Sequence, residues 1–338
     1  ELSYLSNYQR VIINSGKISN KGWEISVSGV PVKVKNFEWK TIFNWSKNNS
    51  MVESLPEGID KIQIGSGVYN VKSYAEVGKP YGAIYAKTFK RDAEGYILCQ
   101  LDGSPKEGQD YEYLGCVQAD WRGGWNNVFR LGNFSFSVMF DFQKGGKFFS
   151  QTSIQSSVDG QSVKSLEGRD ADFFSRKILG ESDEERYGFM RPQNANTPTA
   201  NGQIYPDWGR PKGVVLPNCR YDEDVEGLAG QQVLGYCTPE RYWMHYTSRD
   251  ISRFIYDASY VKLREITVSY DLPKKWLRKT PFQTFRVAAV GRNIATLFAN
   301  TPHGLDPQAT STTGNAQGFE RGFNLPSATY GFDIKVSF

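Results

Sequence analysis

Apolar residues fall on every second position in several stretches of this chain. The clearest is Ser327–Phe338, where Tyr330, Phe332, Ile334, Val336 and Phe338 alternate with Thr329, Gly331, Asp333, Lys335 and Ser337. A period of two puts each set on its own face of a β-strand. Gly22–Val30 repeats the pattern, with Trp23, Ile25 and Val27 against Glu24, Ser26 and Ser28. Phe37–Ser46 sets Phe37, Trp39, Thr41, Phe43 and Trp45 on one face, and Phe134–Gln143 sets Phe134, Phe136, Val138, Phe140 and Phe142 on one face. Gly22–Val30 and Phe37–Ser46 read as a hairpin across PVKVKN, and Gly124–Arg130 pairs with Phe134–Gln143 across LGN. In Ala258–Asp271 the apolar phase flips near Arg264 and Glu265, which predicts a β-bulge. Phe282–Leu297 is a further strand. Gly82–Arg91 and Gly95–Leu101 alternate poorly and read as a weaker hairpin across DAEG. The total is about nine antiparallel strands.

Between the strong strands, short and long connections alternate. PVKVKN, LGN and the Pro-flanked basic segment Leu272–Pro281 are short. Lys47–Pro80, Asp102–Asp120, Lys144–Asp257 and Phe298–Pro326 are long, and Ser165–Leu179 within the longest reads as helical. Loops of such length are uncommon inside a compact domain and are usually functional. Outer-membrane β-barrels have this asymmetry, with short turns on the periplasmic side and long loops outside, and strands of about ten residues cross a bilayer when tilted. The fold class expected is therefore all-β, part of a large transmembrane β-barrel. Single-chain bacterial barrels have an even strand count. Nine is odd, so the chain is expected to be the C-terminal portion of a larger barrel, over residues 1–338, with the plug and N-terminal domains outside it.

Composition agrees with this picture without deciding it. Of 338 residues, 33 are Gly and 14% are aromatic, which suits strands and turns. No run of eighteen apolar residues exists, so a transmembrane helix is excluded, but a barrel hides its lipid face in alternation. The mean hydropathy of −0.51 is compatible with a barrel or a soluble protein. A net charge of +4, from 40 basic and 36 acidic residues, is mild and interspersed and carries no nucleic-acid footprint.

Several ordered motifs resemble one family. They are NKGWEISVSGVPVKVKNFEWKTIFNWSKN, VGKPYGAIY, FSFSVMFDFQKGGKFF, DASYVKLREITVSYDLP, VGRNIATLF, GLDPQ and the terminal Tyr-Gly-Phe…Phe. Together they resemble the SusC/RagA family of TonB-dependent outer-membrane transporters, over essentially the whole chain. The resemblance implies a complete barrel of roughly 22 strands filled by an N-terminal plug. It implies TonB-dependent import of oligosaccharides or peptides, a SusD-like lipoprotein as lid, and the outer membrane of a Gram-negative bacterium of the Bacteroidota type. TonB would act through a region outside this chain, so no residue here is assigned to TonB.

Candidate chemistry is sparse. Two histidines, His245 and His303, stand in loop-like sequence without a nucleophile elbow, so an enzyme is not expected. GSGVYN lacks the Lys-Ser/Thr that a phosphate loop needs. The acidic run Asp222, Glu223, Asp224 and Glu226 offers hard oxygens for calcium but not EF-hand spacing, and a solvated loop is the stronger reading. No metal site and no cofactor are expected. Asp306 in GLDPQ reads as a turn cap. The aromatics Tyr205, Trp208, Tyr242, Trp243 and Tyr246 suit a sugar or lid-protein contact if exposed, against packing of the loop on itself. Arg286 and Arg292 are expected on the lumen side, touching wall or plug. Tyr330, Phe332 and Phe338 resemble the C-terminal signal read by the barrel-assembly machinery. The cysteines Cys99, Cys116, Cys219 and Cys237 are either free or paired, and proximity in sequence favours Cys99 with Cys116 and Cys219 with Cys237. Two other functions stand beside import of glycans or peptides: a soluble all-β carbohydrate-binding protein, whose aromatic faces would have to be buried between two sheets, and a siderophore or cobalamin transporter built on the same barrel.

Overall fold

The computed structural model of the chain describes residues 16–166, 214–237, 241–302, 304–309, 317–322 and 327–338. Strands β1 (Lys17–Val34) and β2 (Phe37–Ser54) form a long hairpin. The first excursion then carries β3 (Lys61–Ser66), β4 (Lys72–Glu76), β5 (Ala83–Phe89), β6 (Ile97–Cys99) and β7 (Glu107–Cys116). The chain returns as the hairpin β8 (Trp121–Leu131) and β9 (Phe134–Lys144). A second excursion holds β10 (Lys147–Ser150), helix α1 (Gln151–Val158), β11 (Val214–Tyr221), β12 (Gln232–Cys237) and β13 (Ile255–Asp257). Then come β14 (Tyr260–Asp271), the one-turn helix α2 (Lys274–Leu277) and β15 (Thr284–Ala299). The short β16 (Phe319–Glu320) lies in the third excursion, before the last strand β17 (Thr329–Ser337).

Seven of these strands make one antiparallel sheet in the order β1-β2-β8-β9-β14-β15-β17. Neighbours in this order follow the chain, so every short turn lies on one rim and every excursion on the other. β1 and β17 do not pair with each other, and the sheet is an open arc. Its register stacks the alternating stripes of all seven strands. One row runs Phe43, Trp125, Phe140, Leu263 and the next but one runs Trp39, Phe129, Phe136, Val268, Ala289, Phe332. The rings stack across strands, Trp39 on Phe129 at 5.9 Å and Trp125 on Phe140 at 6.0 Å between centroids. The face is uncovered: Trp23 is 73% exposed, Phe134 57% and Phe332 85%. Two polar side chains on it have a reason to be there. Asn127 accepts the Trp39 indole N–H at 3.1 Å and Thr41 accepts that of Trp125 at 2.9 Å. Indole N–H groups on so apolar a face would otherwise be left unpaired, at a cost of about 1–3 kcal/mol each if shielded from water.

The opposite face is polar and internally bonded. Ser26 donates to Asn44 at 2.7 Å and Ser137 to Asn126 at 3.1 Å. The bulge falls between Leu263 and Glu265 in both ladders of β14, and opposite it Asn293 takes a positive φ of 52°.

Among the described residues the wall holds seven strands rather than nine. The DAEG turn does form, with Asp92 Oδ1 accepting the Tyr96 N–H at 2.8 Å, and next to it Arg91 pairs with Ile97 and the Leu98 N–H donates to the Lys90 carbonyl at 2.8 Å, but beyond them the flanks diverge. β5 joins a four-stranded sheet in the order β3-β4-β5-β7, and β6 joins a three-stranded sheet in the order β12-β11-β6. Their outward and inward faces are both buried, so neither carries the alternation a wall strand needs.

The excursions interlock. β6 of the first pairs in parallel with β11 of the second, and β10 of the second pairs in parallel with β16 of the third. One apolar core unites Val71, Ile84 and Ala86 of the first, Phe149, Ile154, Ile251 and Phe254 of the second, and Phe319 of the third. A second core joins Phe89, Ile97 and Cys99 to Val214, Cys219, Tyr221, Trp243 and Tyr246. Together they form a structured cap on one rim of the wall.

A polar mouth between wall and cap

Three contiguous cavities lie where the polar face of the wall meets the cap. One, of about 400 Å³, is lined by Arg122, Asp141, Gln143, Tyr260, Gln308 and Gln317 among others. A second, of about 420 Å³, adjoins it at Lys147 and is lined by Asn48, Gln118 and Asp120. A third, of about 280 Å³, shares Gln118, Arg122 and Gln317 with its neighbours. Arg122, Gln143 and Tyr260 are paired polar-face positions at the upper ends of β8, β9 and β14, and Asn48 stands on the same face of β2, two residues beyond Ser46, the partner of Arg122. The period-two pattern thus brings four hydrogen-bonding side chains together at the rim.

A network holds the third excursion against this face. Lys262, fully buried, donates to Asp306 Oδ1 at 2.7 Å and to Gln308 Oε1 at 3.0 Å. Gln308 donates to the Tyr260 hydroxyl at 2.6 Å and accepts from Arg264 at 2.7 Å. Arg264 also donates to Asp141 at 3.1 Å, and Arg122 donates to Gln143 at 3.0 Å. Asp306 does cap its turn, accepting the Gln308 N–H at 2.7 Å, and it is also the counterion of Lys262. An ammonium buried this deeply requires such a partner. At the exit from β9 the Gly145–Gly146 pair takes φ values of 72° and 84°, and a Cβ on Gly145 would meet Asp120 Oδ2 at 2.4 Å. Only glycine fits both demands there.

The residues singled out in the sequence are distributed as follows. Arg286 and Arg292 stand on the polar face, and each is bound within the wall, Arg286 to Asp271 at 2.6 Å and Arg292 to Glu265 at 2.9 Å. Tyr330 and Phe332 stand on the apolar face of the edge strand β17, and Phe338 packs on Phe282 at 5.3 Å. Tyr242, Trp243 and Tyr246 form a π-helical turn and are buried in the cap core, so they present no exposed aromatic surface; burial of this apolar turn among Phe89 and its neighbours explains them. Tyr205, Trp208, His303 and most of the expected helix Ser165–Leu179 lie outside the described residues, save that Val163–Leu166 forms a 3-10 turn. In the acidic run, Asp222 binds Lys90 and Lys106 and Asp224 binds Lys106, so lysine ammonium groups supply the positive charge at these two carboxylates.

The sequence-neighbour cysteine pairings do not form. Neither pair is joined by a disulfide. Cys116 donates to the Tyr81 carbonyl at 3.4 Å, whereas Cys99 is hydrogen-bonded to Cys219 across β6 and β11. That bond, and then burial, pushes the Cys99 thiol far above its ordinary range. Burial likewise pushes Cys237 up to about 12. Sequence proximity misjudged the pairing because strands from two excursions lie side by side.

Arg122, Gln143, Tyr260, Lys262, Gln308 and Gln317 were not anticipated. Their one signal in the sequence is positional: polar residues at the upper ends of alternating strands, and a lysine set between Val261 and Leu263.

An aromatic outer face, a polar inner face, short turns on one rim and folded loops on the other define a sector of a transmembrane β-barrel wall. No family model matches the chain. It is 24% identical over 94% of its length to the TonB-dependent receptor P3 of Formosa agariphila, covering 28% of that protein. It is 21% identical to the TonB-dependent receptor P39 of the same organism over 43% of its length, covering 18% of that protein. Two solved structures share the fold across 100% of the chain: the RagAB peptide transporter, at 14% identity, TM-score 0.55 and 31% of that chain, and the RagAB peptide importer in its open-open state, at 16%, 0.56 and 30%. The chain thus spans less than a third of the length of the relatives it matches. In sequence it resembles a segment of TonB-dependent receptors, and in fold a segment of the RagAB barrel.

Proposed function

We propose that this chain forms a sector of the wall and the outer mouth of an outer-membrane importer. The whole protein would take up peptides or oligosaccharides, powered by TonB through a region outside this sector. A plug would fill the lumen and a SusD-like lipoprotein would sit on the cap as a lid. The observation that carries the reading is the pairing of faces: an uncovered aromatic face on one side of the sheet, and on the other a polar mouth opening under the cap. A soluble sandwich would need a second sheet over the aromatic face, and residues as exposed as Phe332 argue against one. Amide, guanidinium and hydroxyl groups at the mouth (Gln143, Gln308, Gln317, Arg122, Tyr260) suit either peptide bonds or sugar hydroxyls. The likeness to a peptide importer ranks peptides first. Siderophore and cobalamin uptake rank below both. No catalytic step and no cofactor enter the reading. Tyr330, Phe332 and Phe338 would serve assembly of the barrel.

The test is uptake by cells expressing the full-length receptor with its neighbouring lipoprotein. Fluorescent peptides of mixed length, and oligosaccharides in a parallel arm, should accumulate and cease to do so when a protonophore collapses the inner-membrane gradient. Arg122→Ala with Gln317→Ala should lower uptake while leaving the amount of protein in the outer membrane unchanged. Partition of the wild-type protein into the aqueous phase without detergent would overturn the reading.

A further inference from the structure

The mouth leaves one buried pair of reactive groups unused. Cys99 lies on β6 and Cys219 on β11, in different excursions and about 120 residues apart in the chain. The two strands run parallel with Cys219 opposite Ile97 and Tyr221 opposite Cys99, so the cysteines are diagonal neighbours. The Cys99 thiol nevertheless reaches Cys219 as its hydrogen-bond partner, while the Cys219 thiol donates to the Leu216 carbonyl at 3.2 Å. Converging side chains are the requirement for a disulfide, and it is the one that sequence spacing cannot supply. The far side of Cys219 is closed: a Cβ added to Gly235 on β12 would lie 2.5 Å from its sulfur. Alternative partners are poorly placed. Cys116 is bound to the Tyr81 carbonyl, and Cys237 stands opposite Val214 at the other end of the β11–β12 ladder from Cys219.

We propose that Cys99 and Cys219 are a disulfide-forming site that ties the first excursion to the second. In the step, a Cys99 thiolate attacks a sulfur of an oxidising disulfide, such as that of a thiol–disulfide exchange catalyst or oxidised glutathione. One thiolate leaves and a mixed disulfide remains. The Cys219 thiolate then attacks the Cys99 sulfur and expels the second thiol. The pair loses two protons and two electrons, and the oxidant's disulfide becomes two thiols. Both cysteines are fully or almost fully buried once the cap has closed, so the exchange belongs to folding, before that core seals. The place is already reinforced next door, where the Asp222 N–H donates to the Cys99 carbonyl at 3.0 Å and the Asp222 carboxylate binds Lys90 and Lys106. A link closing so long a segment restricts the unfolded chain strongly. The inference rests on the export that the import reading requires, because disulfides persist in oxidising compartments.

The test uses full-length receptor from the outer-membrane fraction. It is denatured in N-ethylmaleimide without reductant, digested, and analysed by mass spectrometry before and after reduction. The expected result is one linked peptide pair joining Cys99 to Cys219, with Cys116 and Cys237 alkylated. The variant Cys116→Ser with Cys237→Ser should keep that link, which controls for folding. Four alkylated cysteines in protein found in the outer membrane would overturn the proposal and leave the import reading standing. A link between any other two cysteines would overturn it as well. Protein absent from the membrane fraction would overturn both together.

Discussion

Asp222 shows how single residues hold the cap. It is 3% exposed. Burial alone would raise its carboxyl, but hydrogen bonds from Lys106 and Lys90 outweigh burial and hold it at about 2, below the ordinary 3.8. A carboxylate with a depressed pKa contributes stability that is complete above its unfolded value and lost as pH falls through the folded value. The window here is pH 4 down to about 2, and the shift corresponds to about 2 kcal/mol. Asp222→Asn should therefore destabilise the junction of β6 and β11 by about that amount at pH 7, and the gap to wild type should close as pH approaches 2. Hydrogen exchange of the amides around Cys99 and Tyr221, compared between the two proteins at each pH, reads it. A gap that stays constant with pH would remove the role assigned to the charge. None of this was legible beforehand, because the two lysines lie more than a hundred residues from Asp222 in sequence.

At the scale of elements the wall was legible and the cap was not. β2, β9 and β17 announce themselves because a lipid-facing strand must alternate throughout its length, and ten residues of alternation are hard to produce by chance. The bulge in β14 was visible for the same reason: a slip of one residue flips every later side chain to the other face. The cap strands β6, β10 and β16 are two to four residues long and buried on both faces. Their existence depends on partners elsewhere in the chain, so local pattern contains no trace of them. The weak hairpin after Gly82 holds only next to its turn, where Arg91 meets Ile97, because β5 and β6 themselves pair elsewhere. A substitution on the wall should obey its faces. Phe136→Arg places a cation on the aromatic side and should destabilise the barrel by about 2–4 kcal/mol, depending on depth. Ser137→Arg, one residue on, points to the polar side and should change stability by less than about 0.5 kcal/mol. Urea unfolding of the full-length barrel, followed by loss of its heat-resistant band in gel electrophoresis, separates the two. Equal effects would mean that the faces are not in different solvents.

For the molecule as a whole, the consequence is mechanical. Long loops usually exchange hydrogen independently and fast, because few contacts hold them. Here three excursions share one core, and among the described residues Phe319 is its single large apolar side chain from the third excursion. It is fully buried, its ring lies within 3.0 Å of where a Cβ on Gly67 would sit, and its strand pairs with Phe149 and Ser150. The same strand carries Glu320, whose carboxylate accepts from Ser150 Oγ at 2.6 Å and from the Thr152 amide at 3.1 Å at the start of α1. A cap built this way should open as one unit. Truncating Phe319 to Ala removes apolar contacts from all three excursions at once and should cost about 3–5 kcal/mol. Amide protection should then fall together around Ile84, around Ile154 and around Phe254, while β9 and β14 in the wall keep theirs. Hydrogen exchange with mass spectrometry on the full-length receptor distinguishes this from loops that open separately. Loss confined to residues 317–322 would show that the third excursion is merely laid on the others. Joint loss would mean that any ligand or lid gripping one excursion is felt by all three, and that the polar mouth beneath them widens or narrows as a whole.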